Sequence, residues 1–458
     1  MRLTKTHVAV ITILNIVIAA LLAFIFLYKP GWALGSTDSA GGGNTNIGGS
    51  DGGNGDGNGG PVGANPEHVK TRSATDGRVS EIVRETRLMG TGDESVVELF
   101  VMSGVSYIFG NATVGDYDFD GYGGFLCIVD GAGSITRFGY YKGRMTAVGM
   151  IEGGYAVATT DSSTGAGLSR LYFTGLDGSI KEVAELDGEG LEIIVLDSGR
   201  IAVVTKPNDN SFKLTEYAVA QGESAPVFTA EHNTRISSGY TLDYFNCFQL
   251  GEKYILAARA YSLPRYDSIV FYTFEAGGDA SAHFYGGSGD SIMQPYAVLP
   301  YPSGYLALCR RDGVAAVISV DYGFVSYRRD LLGFAFTSAR LDYANGKYYA
   351  CFEYADGVVT YEIDNRLNRR IVSSAQDIKL CCAVNSGGTV LVGTTEEGIR
   401  LADLSGTRVL DLDIDGAIVC GGFKTADGCT TLVLSATGGD AVTVPTGGRD
   451  IYIVTVRI

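Results

Sequence analysis

Hydrophobic positions along the chain recur in runs of strand length, separated by turns that carry Gly. From residue 96 onward, a turn that ends in Gly precedes an apolar run in eight places. These runs are "GVSYIFG" (Gly104), "GYAVATT" (Gly154), "GRIAVVT" (Gly199), "GEKYILAA" (Gly251), "GYLALCR" (Gly304), "GKYYACF" (Gly346), "GTVLVGT" (Gly388) and "GCTTLVL" (Gly428). The glycines are 40 to 53 residues apart, about 46 on average. Short apolar runs bounded by turn residues predict strands rather than helices.

Three further strands accompany each of these runs. An apolar run such as "VVELFVMS" precedes the glycine, an alternating run such as "FLCIVDGAG" follows, and a run of mixed polarity such as "KEVAELDG" closes the unit. Four strands in 40–50 residues are typical of a β-propeller blade. The chain therefore resembles the β-propeller superfold, an all-β fold, over residues 78–458. A four-stranded sheet cannot bury both faces alone, so the blades are expected to stack in a ring.

The end of the chain bears on how the ring would close. The eighth unit has "AIVCGGFKT", "CTTLVLSA" and "DIYIVTVRI" and then ends at Ile458 without a fourth strand. The strand-like segment Val79–Leu88, "VSEIVRETRL", is not used by any unit. We predict that it completes the last blade, which would leave no free sheet edge at the junction. The count favours eight blades, or seven if one long unit is irregular.

The N-terminus carries an uncharged apolar segment, Val8–Tyr28, which follows Arg2 and Lys5. Its length suits one helical crossing of a bilayer. The basic residues before it predict a cytoplasmic N-terminus, with the rest of the chain outside the cytoplasm. We therefore predict a signal-anchor domain over residues 1–30. A signal peptide cleaved near Gly35 is the alternative, and it would leave a secreted protein.

Residues 31–77 join this segment to the repeats and contain "GSTDSAGGGNTNIGGSDGGNGDGNGGPVGAN". So little apolar surface is present that a disordered, Gly-rich flexible linker is expected. The charges of residues 1–65 cancel, so the formal net charge of −16 belongs to the remainder. A strongly acidic body repels phosphate backbones, which excludes nucleic acid as an expected partner.

The eight cysteines include no CxxC pair, and most lie inside apolar runs such as "YLALCR". Buried free thiols are the simplest interpretation. Cys420 and Cys429 flank one predicted turn, and spacing alone leaves a disulfide between them open.

One acidic segment, "DYDFDG", places Asp116, Asp118 and Asp120 before Gly121. Alternate carboxylates on a tight loop would supply three of the oxygens that Ca²⁺ requires. The segment "VGDYDFDGYGGFLCIV" also resembles one FG-GAP propeller repeat, which implies a calcium loop at these three residues. The later acid of that family would fall at Gly124. A solvated hairpin loop is the alternative interpretation.

Other candidate residues carry weaker signals. A second acidic run, Asp411, Asp413 and Asp415, follows a strand alternation that points its carboxylates to solvent. The histidines of the body are isolated, which predicts neither a zinc site nor a catalytic triad. Arginine pairs such as Arg310-Arg311 are expected to form salt bridges with nearby Asp, or else an anion-binding groove. The many tyrosines of the fourth to sixth units would pack between blades or stack on sugars.

These features favour a membrane-tethered extracytoplasmic propeller that binds a glycan, a peptide or an envelope protein. No catalytic spacing is present in the repeats. The alternative function is an envelope glycan hydrolase or lyase that uses carboxylates at the central mouth of the ring.

Overall fold

The structure is a computed structural model. It describes residues 69–73, 82–88 and 93–457, with gaps in the last range at 114–121, 131–133, 162–167, 198, 219–226, 234–239, 263–265, 275–279, 289–292, 312, 326, 356, 365, 377, 379–380, 386–388, 396–397, 405–408, 425–427 and 438–447. The predicted apolar span Val8–Tyr28 lies outside these residues. Within them, the search for a helix of sufficient length and hydropathy to span a bilayer finds none.

The described residues form 33 strands, which make an eight-bladed β-propeller. Two strands precede the first blade: β1 (Val69–Ser73) and β2 (Ile82–Leu88). Blade 1 is β3 (Glu94–Met102), β4 (Val105–Thr113), β5 (Tyr122–Val129) and β6 (Ile135–Tyr141). Blade 2 is β7 (Arg144–Ile151), β8 (Gly154–Asp161), β9 (Leu168–Gly175) and β10 (Ile180–Leu186). Blade 3 is β11 (Glu189–Asp197), β12 (Arg200–Asn208), β13 (Ser211–Ala218) and β14 (Val227–Asn233). Blade 4 is β15 (Thr241–Leu250), β16 (Lys253–Ser262), β17 (Tyr266–Phe274) and β18 (Ser281–Ser288).

The remaining blades follow the same order. Blade 5 is β19 (Met293–Tyr301), β20 (Gly304–Arg311), β21 (Val314–Asp321) and β22 (Tyr327–Leu331). Blade 6 is β23 (Ser338–Ala344), β24 (Lys347–Tyr354), β25 (Gly357–Ile363) and β26 (Arg369–Gln376). Blade 7 is β27 (Cys381–Asn385), β28 (Thr389–Thr394), β29 (Ile399–Asp403) and β30 (Val409–Leu412). Blade 8 contains β31 (Ile418–Lys424), β32 (Thr430–Ala436) and β33 (Asp450–Val456). All strand pairs within the blades are antiparallel.

Blade 8 is closed by a strand from near the start of the chain, as predicted. β2 pairs with β33 in a register that places Ile82 opposite Val456 and Leu88 opposite Ile451. The paired part of the predicted Val79–Leu88 strand begins at Ile82. The structure adds a strand that the sequence did not predict: β1 pairs with the outer edge of β2 and makes this sheet five-stranded. β1 lies within residues 31–77, which we predicted to be linker.

The core consists of the interfaces between neighbouring blades. Each of the eight hydrophobic clusters joins two adjacent blades, and together they run around the ring without a break. In β8, Tyr155 and Val157 belong to the interface with blade 1, whereas Ala156 and Ala158 belong to the interface with blade 3. The second strands are therefore buried on both faces, which explains why they are nearly all apolar.

Two of the tight turns show why Gly follows the first strand of a blade. Ser103 and Gly104 both have positive φ, as do Asn345 and Gly346. Two consecutive left-handed residues form a type I′ turn, whose twist matches that of an antiparallel hairpin. Gly adopts this conformation at no steric cost.

The antiparallel strand order gives the ring two different faces. The turns from first to second strand and from third to fourth strand lie on one side, the hairpin face. The connections from second to third strand, and from each blade to the next, lie on the other side, the loop face. Because β2 runs from the hairpin face to the loop face, its antiparallel partner β1 begins on the loop face.

None of the seven cysteines whose side chains the structure describes forms a disulfide. Six are buried, in agreement with the prediction from their apolar surroundings. Cys420 and Cys429 do not form the disulfide that their spacing left open.

Candidate functional site

The first strands of the eight blades surround the centre of the ring, and they contact one another in a closed cycle. Six of these strands carry a β-bulge, an extra residue that interrupts the pairing with the second strand. The bulges lie at Val97, Thr146, Leu191, Phe245, Tyr296 and Cys420. Bulges re-aim the side chains beside them and occur often near binding sites. The wall of the central channel is therefore the first place to search for function.

Polar side chains occupy one structurally equivalent position on this wall in four blades. Glu98, Glu192, Asn246 and Arg340 each pair with the fifth residue of the following strand. The first three directly follow a bulge. Blades 1 and 3 flank blade 2, which lies opposite blade 6 in an eight-membered ring. The two glutamates therefore lie on one side of the channel, and Arg340 lies on the other.

Glu192 connects blade 3 to blade 4. Its Oε2 atom accepts hydrogen bonds from the Tyr244 hydroxyl and from the backbone N–H of Cys247, the latter at 2.8 Å. Burial nevertheless raises the pKa of Glu192, and the negative charge of Glu98 raises it further, against the two hydrogen bonds. Burial likewise raises the pKa of the Tyr244 hydroxyl, and the Glu192 charge adds to it.

Glu98 is accessible to solvent, yet protein atoms surround its carboxylate closely. Desolvation raises its pKa, opposed only by a 3.2 Å hydrogen bond from the backbone N–H of Leu99. Glu98 and Glu192 are thus two mutually repelling carboxylates on neighbouring parts of the wall. Paired carboxylates with raised pKa values are a recurrent feature of functional sites.

The opposite side of the wall holds an ion pair. The Arg340 guanidinium donates to Asp342 at 2.8 Å, and Asp342 also accepts the backbone N–H of Ala383 in blade 7 at 3.0 Å. Burial raises the pKa of Asp342, although Arg340 opposes the shift. Asn246 joins blade 4 to blade 5 through a bond from its Nδ2 to the carbonyl oxygen of Val298. Its buried Oδ1 has no hydrogen-bond partner.

Exposed apolar side chains surround the hairpin-face mouth of this channel. Five first strands carry one such residue at or near their hairpin end. These five form the apolar rim: Val101, Met150, Val195, Leu250 and Tyr343, which are 39–58% exposed.

The predicted calcium loop, Asp116, Asp118 and Asp120, lies outside the described residues, so this site remains a prediction. A thermal melt with and without chelator tests it. In the second acidic run, Asp411 accepts two hydrogen bonds from Arg400, at 2.7 and 3.0 Å, and Asp413 and Asp415 are exposed. Among the described residues, no group of three His, Cys, Asp or Glu side chains has a geometry that would hold a metal.

Of the weaker candidates, Arg310 differs most from expectation. Among the described residues it has no ion pair, and its guanidinium lies beside two aromatic rings that contact each other. Asp312, the Asp nearest to it in sequence, lies outside the described residues. His283 stacks on Phe324, with ring centroids 4.4 Å apart. Sequence reasoning missed Glu98, Glu192 and Arg340. The signal that finds them is a charged residue six or seven residues before the turn glycine of its unit, which becomes visible once the units are aligned.

No protein-family model matches the chain, and no curated protein sequence matches it. Solved structures of similar fold include BamB from Moraxella catarrhalis, with 12% identity and a TM-score of 0.47, over 80% of this chain and 100% of that one. The β-propeller domain of the Trilobed protease from Pyrococcus furiosus has 9% identity and a TM-score of 0.41, over 69% and 97%. A streptogramin B lyase has 12% identity and a TM-score of 0.39, over 68% and 93%. These likenesses concern the fold alone.

Proposed function

We propose that this chain is a membrane-tethered scaffold whose propeller, outside the cytoplasm, binds another protein through the hairpin face. The apolar rim is the observation that supports this proposal. Exposed apolar side chains that cluster at one place on a soluble domain typically mark an interaction surface. The membrane tether in this proposal is based on the predicted N-terminal anchor.

The exposed apolar residues are distributed unevenly between the two faces. Besides the rim, Leu176 and Val325 occupy turns of the hairpin face, and Val325 is 90% exposed. Only Leu331 and Ile418, among the exposed large apolar residues of the described chain, lie at strand ends on the loop face. Single exposed apolar residues are normal on any surface, but their concentration around one mouth is not.

Charge within the channel indicates the chemistry of the partner. Glu98 lies three residues before Val101 on the same strand, about 10 Å deeper at ~3.3 Å per residue. A docking segment with apolar side chains for the rim and one Lys or Arg directed into the channel would relieve the repulsion between Glu98 and Glu192. The proposed partner is therefore a protein with an exposed segment that is apolar and basic.

Selection from a random peptide library on the full-length chain in detergent tests this function. Enriched peptides are expected to combine apolar residues with Lys or Arg, and Met150→Glu is expected to weaken their binding at least tenfold. Leu331→Glu replaces a similarly exposed apolar residue on the loop face; it is the matched control and should bind as the wild type does. Equal binding to the Met150 variant and the wild type would contradict the proposal.

A carboxylate-based glycan hydrolase or lyase is the second candidate function. The raised pKa values of Glu98 and Glu192 favour it, because such enzymes need one protonated and one ionised carboxyl group at neutral pH. Incubation of the full-length chain with cell-wall glycans, followed by assay for new reducing ends or unsaturated products, tests it. Turnover that persists in both Glu98→Gln and Glu192→Gln would rule out this channel as the active site.

A further inference from the structure

The loop face of blades 4 and 5 carries a group of half-buried aromatic and arginine side chains at the ends of neighbouring strands. We call it the Tyr–Arg cluster: Tyr240, Arg259, Tyr261, Tyr266, Tyr296 and Arg310. Arg259 and Arg310 occupy equivalent positions, because each is the seventh residue of the second strand of its blade. The cluster lies on the opposite face from the apolar rim.

Arg259 is fixed and neutralised within the cluster. Its Nε and Nη2 atoms donate to the two oxygens of Asp267, at 2.9 and 2.7 Å, and Asp243 lies 3.6 Å from Nη1. The guanidinium also lies over the Tyr261 ring, 4.4 Å from its centroid. A bidentate pair combined with stacking holds both Arg259 and the Tyr261 ring in one orientation.

Arg310 has the same position but no carboxylate partner among the described residues. Its guanidinium lies 5.2 Å from the centroids of both the Tyr296 and the Phe336 rings, and Nη2 donates to the Phe336 carbonyl oxygen at 2.8 Å. The structure gives Arg310 no ion pair in the described part of the chain. A half-buried cation without a counter-charge is unusual in a protein of net charge −16. The aromatic rings fix its guanidinium plane while its charge stays available.

The two arginine sites lie on neighbouring blades, whose strands β17 and β19 contact each other. Desolvation raises the pKa of the Tyr296 hydroxyl, and Arg310 of the same blade and Arg259 and Asp267 of blade 4 all act on it. Tyr240 and Tyr266 extend the aromatic surface, with ring centroids 4.7 Å apart. Packing on the core between blades 3 and 4 accounts for these two tyrosines. This packing does not explain why Arg310 has no counter-charge among the described residues.

We propose that the Tyr–Arg cluster is a binding site for a glycan that carries carboxylate groups. Tyrosine rings offer an apolar face to the C–H side of a sugar ring and a hydroxyl to its polar edge. The Arg310 guanidinium supplies the planar donor pair that a carboxylate accepts. Asp243, with its side chain 44% exposed, is placed to accept a hydrogen bond from a sugar hydroxyl. This site would join a glycan on the loop face to the protein partner on the hairpin face.

Isothermal titration of the full-length chain with an oligogalacturonate and with its fully methyl-esterified form tests the proposal. The wild type is expected to bind the acid at least tenfold more tightly than the ester, with an affinity that falls as salt is added. Arg310→Gln keeps a planar side chain beside the two rings but removes the charge. It is expected to lose this tenfold preference and the salt dependence.

Arg370→Gln is the matched control, because Arg370 is 67% exposed and pairs with Glu362 elsewhere on the ring. It should bind both glycans as the wild type does. Thermal melts establish that each variant is folded. The comparison of the acid with the ester uses the wild type alone, so it tests the proposal even if a variant does not fold. Equal affinity for acid and ester, absence of binding to both, or an unchanged preference in Arg310→Gln would each overturn the proposal. None of these outcomes bears on peptide binding at the apolar rim.

Discussion

At the scale of single residues, burial determines how the charges of this propeller behave. Glu98 and Glu192 resist ionisation because protein surrounds them. Arg259 gains two carboxylate partners, whereas Arg310, at the same position one blade later, gains two aromatic rings. The same residue type at equivalent positions of two blades thus has different partners, because the neighbouring side chains differ. One fold can therefore carry different binding sites.

Replacing Glu98 with Gln is expected to stabilise the protein at neutral pH. Folding raises the pKa of Glu98 above the reference value of 4.5. Below about pH 4.5 the side chain is protonated in both the folded and the unfolded state, so Glu98 makes its full contribution to the free energy of unfolding there. That contribution is lost as the pH rises through the raised folded pKa. A neutral Gln avoids the loss, and the gain should be small because the exposed carboxylate keeps part of its hydration.

Thermal melts between pH 4 and pH 8 measure this effect. The difference between Glu98→Gln and the wild type should grow with pH. Glu152→Gln, in the exposed turn between β7 and β8, is the control and should give parallel curves. A variant that is less stable at pH 8 than at pH 4, relative to the wild type, would contradict the burial argument.

Asp450→Ala is expected to be strongly destabilising. Asp450 is fully buried and pairs with Arg87, which is 1% exposed, at 2.5 Å between β33 and β2. Removal of one partner of a buried ion pair costs about 3–5 kcal/mol. Chemical denaturation measures the loss. Asp411→Ala, which breaks the exposed pair with Arg400, should cost less than about 1 kcal/mol, and similar losses in both variants would refute the role of burial.

Only part of the candidate site was predictable from residue types. "DYDFDG" and the arginine pairs attract notice because their residues are adjacent in sequence, and Arg310 does belong to a proposed site. Glu98, Glu192 and Arg340 lie in different units: the two glutamates each interrupt an apolar run, and Arg340 lies two residues before Asp342 in a mixed strand. Their convergence depends on the closure of the ring and on bulges, which alternation of polarity does not show.

At the scale of strands, the prediction succeeded where both faces of a strand are buried. Segments such as "GYAVATT" and "GRIAVVT" became second strands because neighbouring blades cover both sides of them. The closing strand was predictable because the last unit lacked one. β1, "VKTRS", has a single apolar residue and adjoins the Gly-rich segment, so its strand depends on pairing with β2 rather than on its own pattern.

Truncation is expected to separate the roles of β1 and β2. A chain that starts at residue 78 loses the outer edge strand β1 together with the predicted anchor and linker, and its ring should melt within a few degrees of that of the full-length chain. A chain that starts at residue 91 also loses β2, which exposes the edge of β33 and removes the link between blades 8 and 1. We expect its melting temperature to fall by more than about 10 °C. Similar melting of both chains would mean that β2 does not close the ring.

At the scale of the whole molecule, the ring separates two kinds of surface. The hairpin face concentrates exposed apolar side chains, and the loop face of blades 4 and 5 concentrates tyrosine and arginine. One rigid domain would thereby hold a protein and a glycan at a fixed separation. The sequence predicts the ring. It does not predict which residues lie on the hairpin face and which lie on the loop face, because that depends on which turn follows each strand.

The predicted anchor decides where such a bridge would operate. Val8–Tyr28 should hold the full-length chain in the membrane fraction through alkaline carbonate washing, since a span of this length is not extracted with peripheral proteins. The ring should be digested by protease added outside intact cells, because Arg2 and Lys5 predict an N-terminus in the cytoplasm. A chain with Val8–Tyr28 deleted is the control and should remain soluble inside the cell. Recovery of the wild type in the medium with a new N-terminus near Gly35 would show a cleaved signal peptide instead, and the scaffold would then act as a secreted protein.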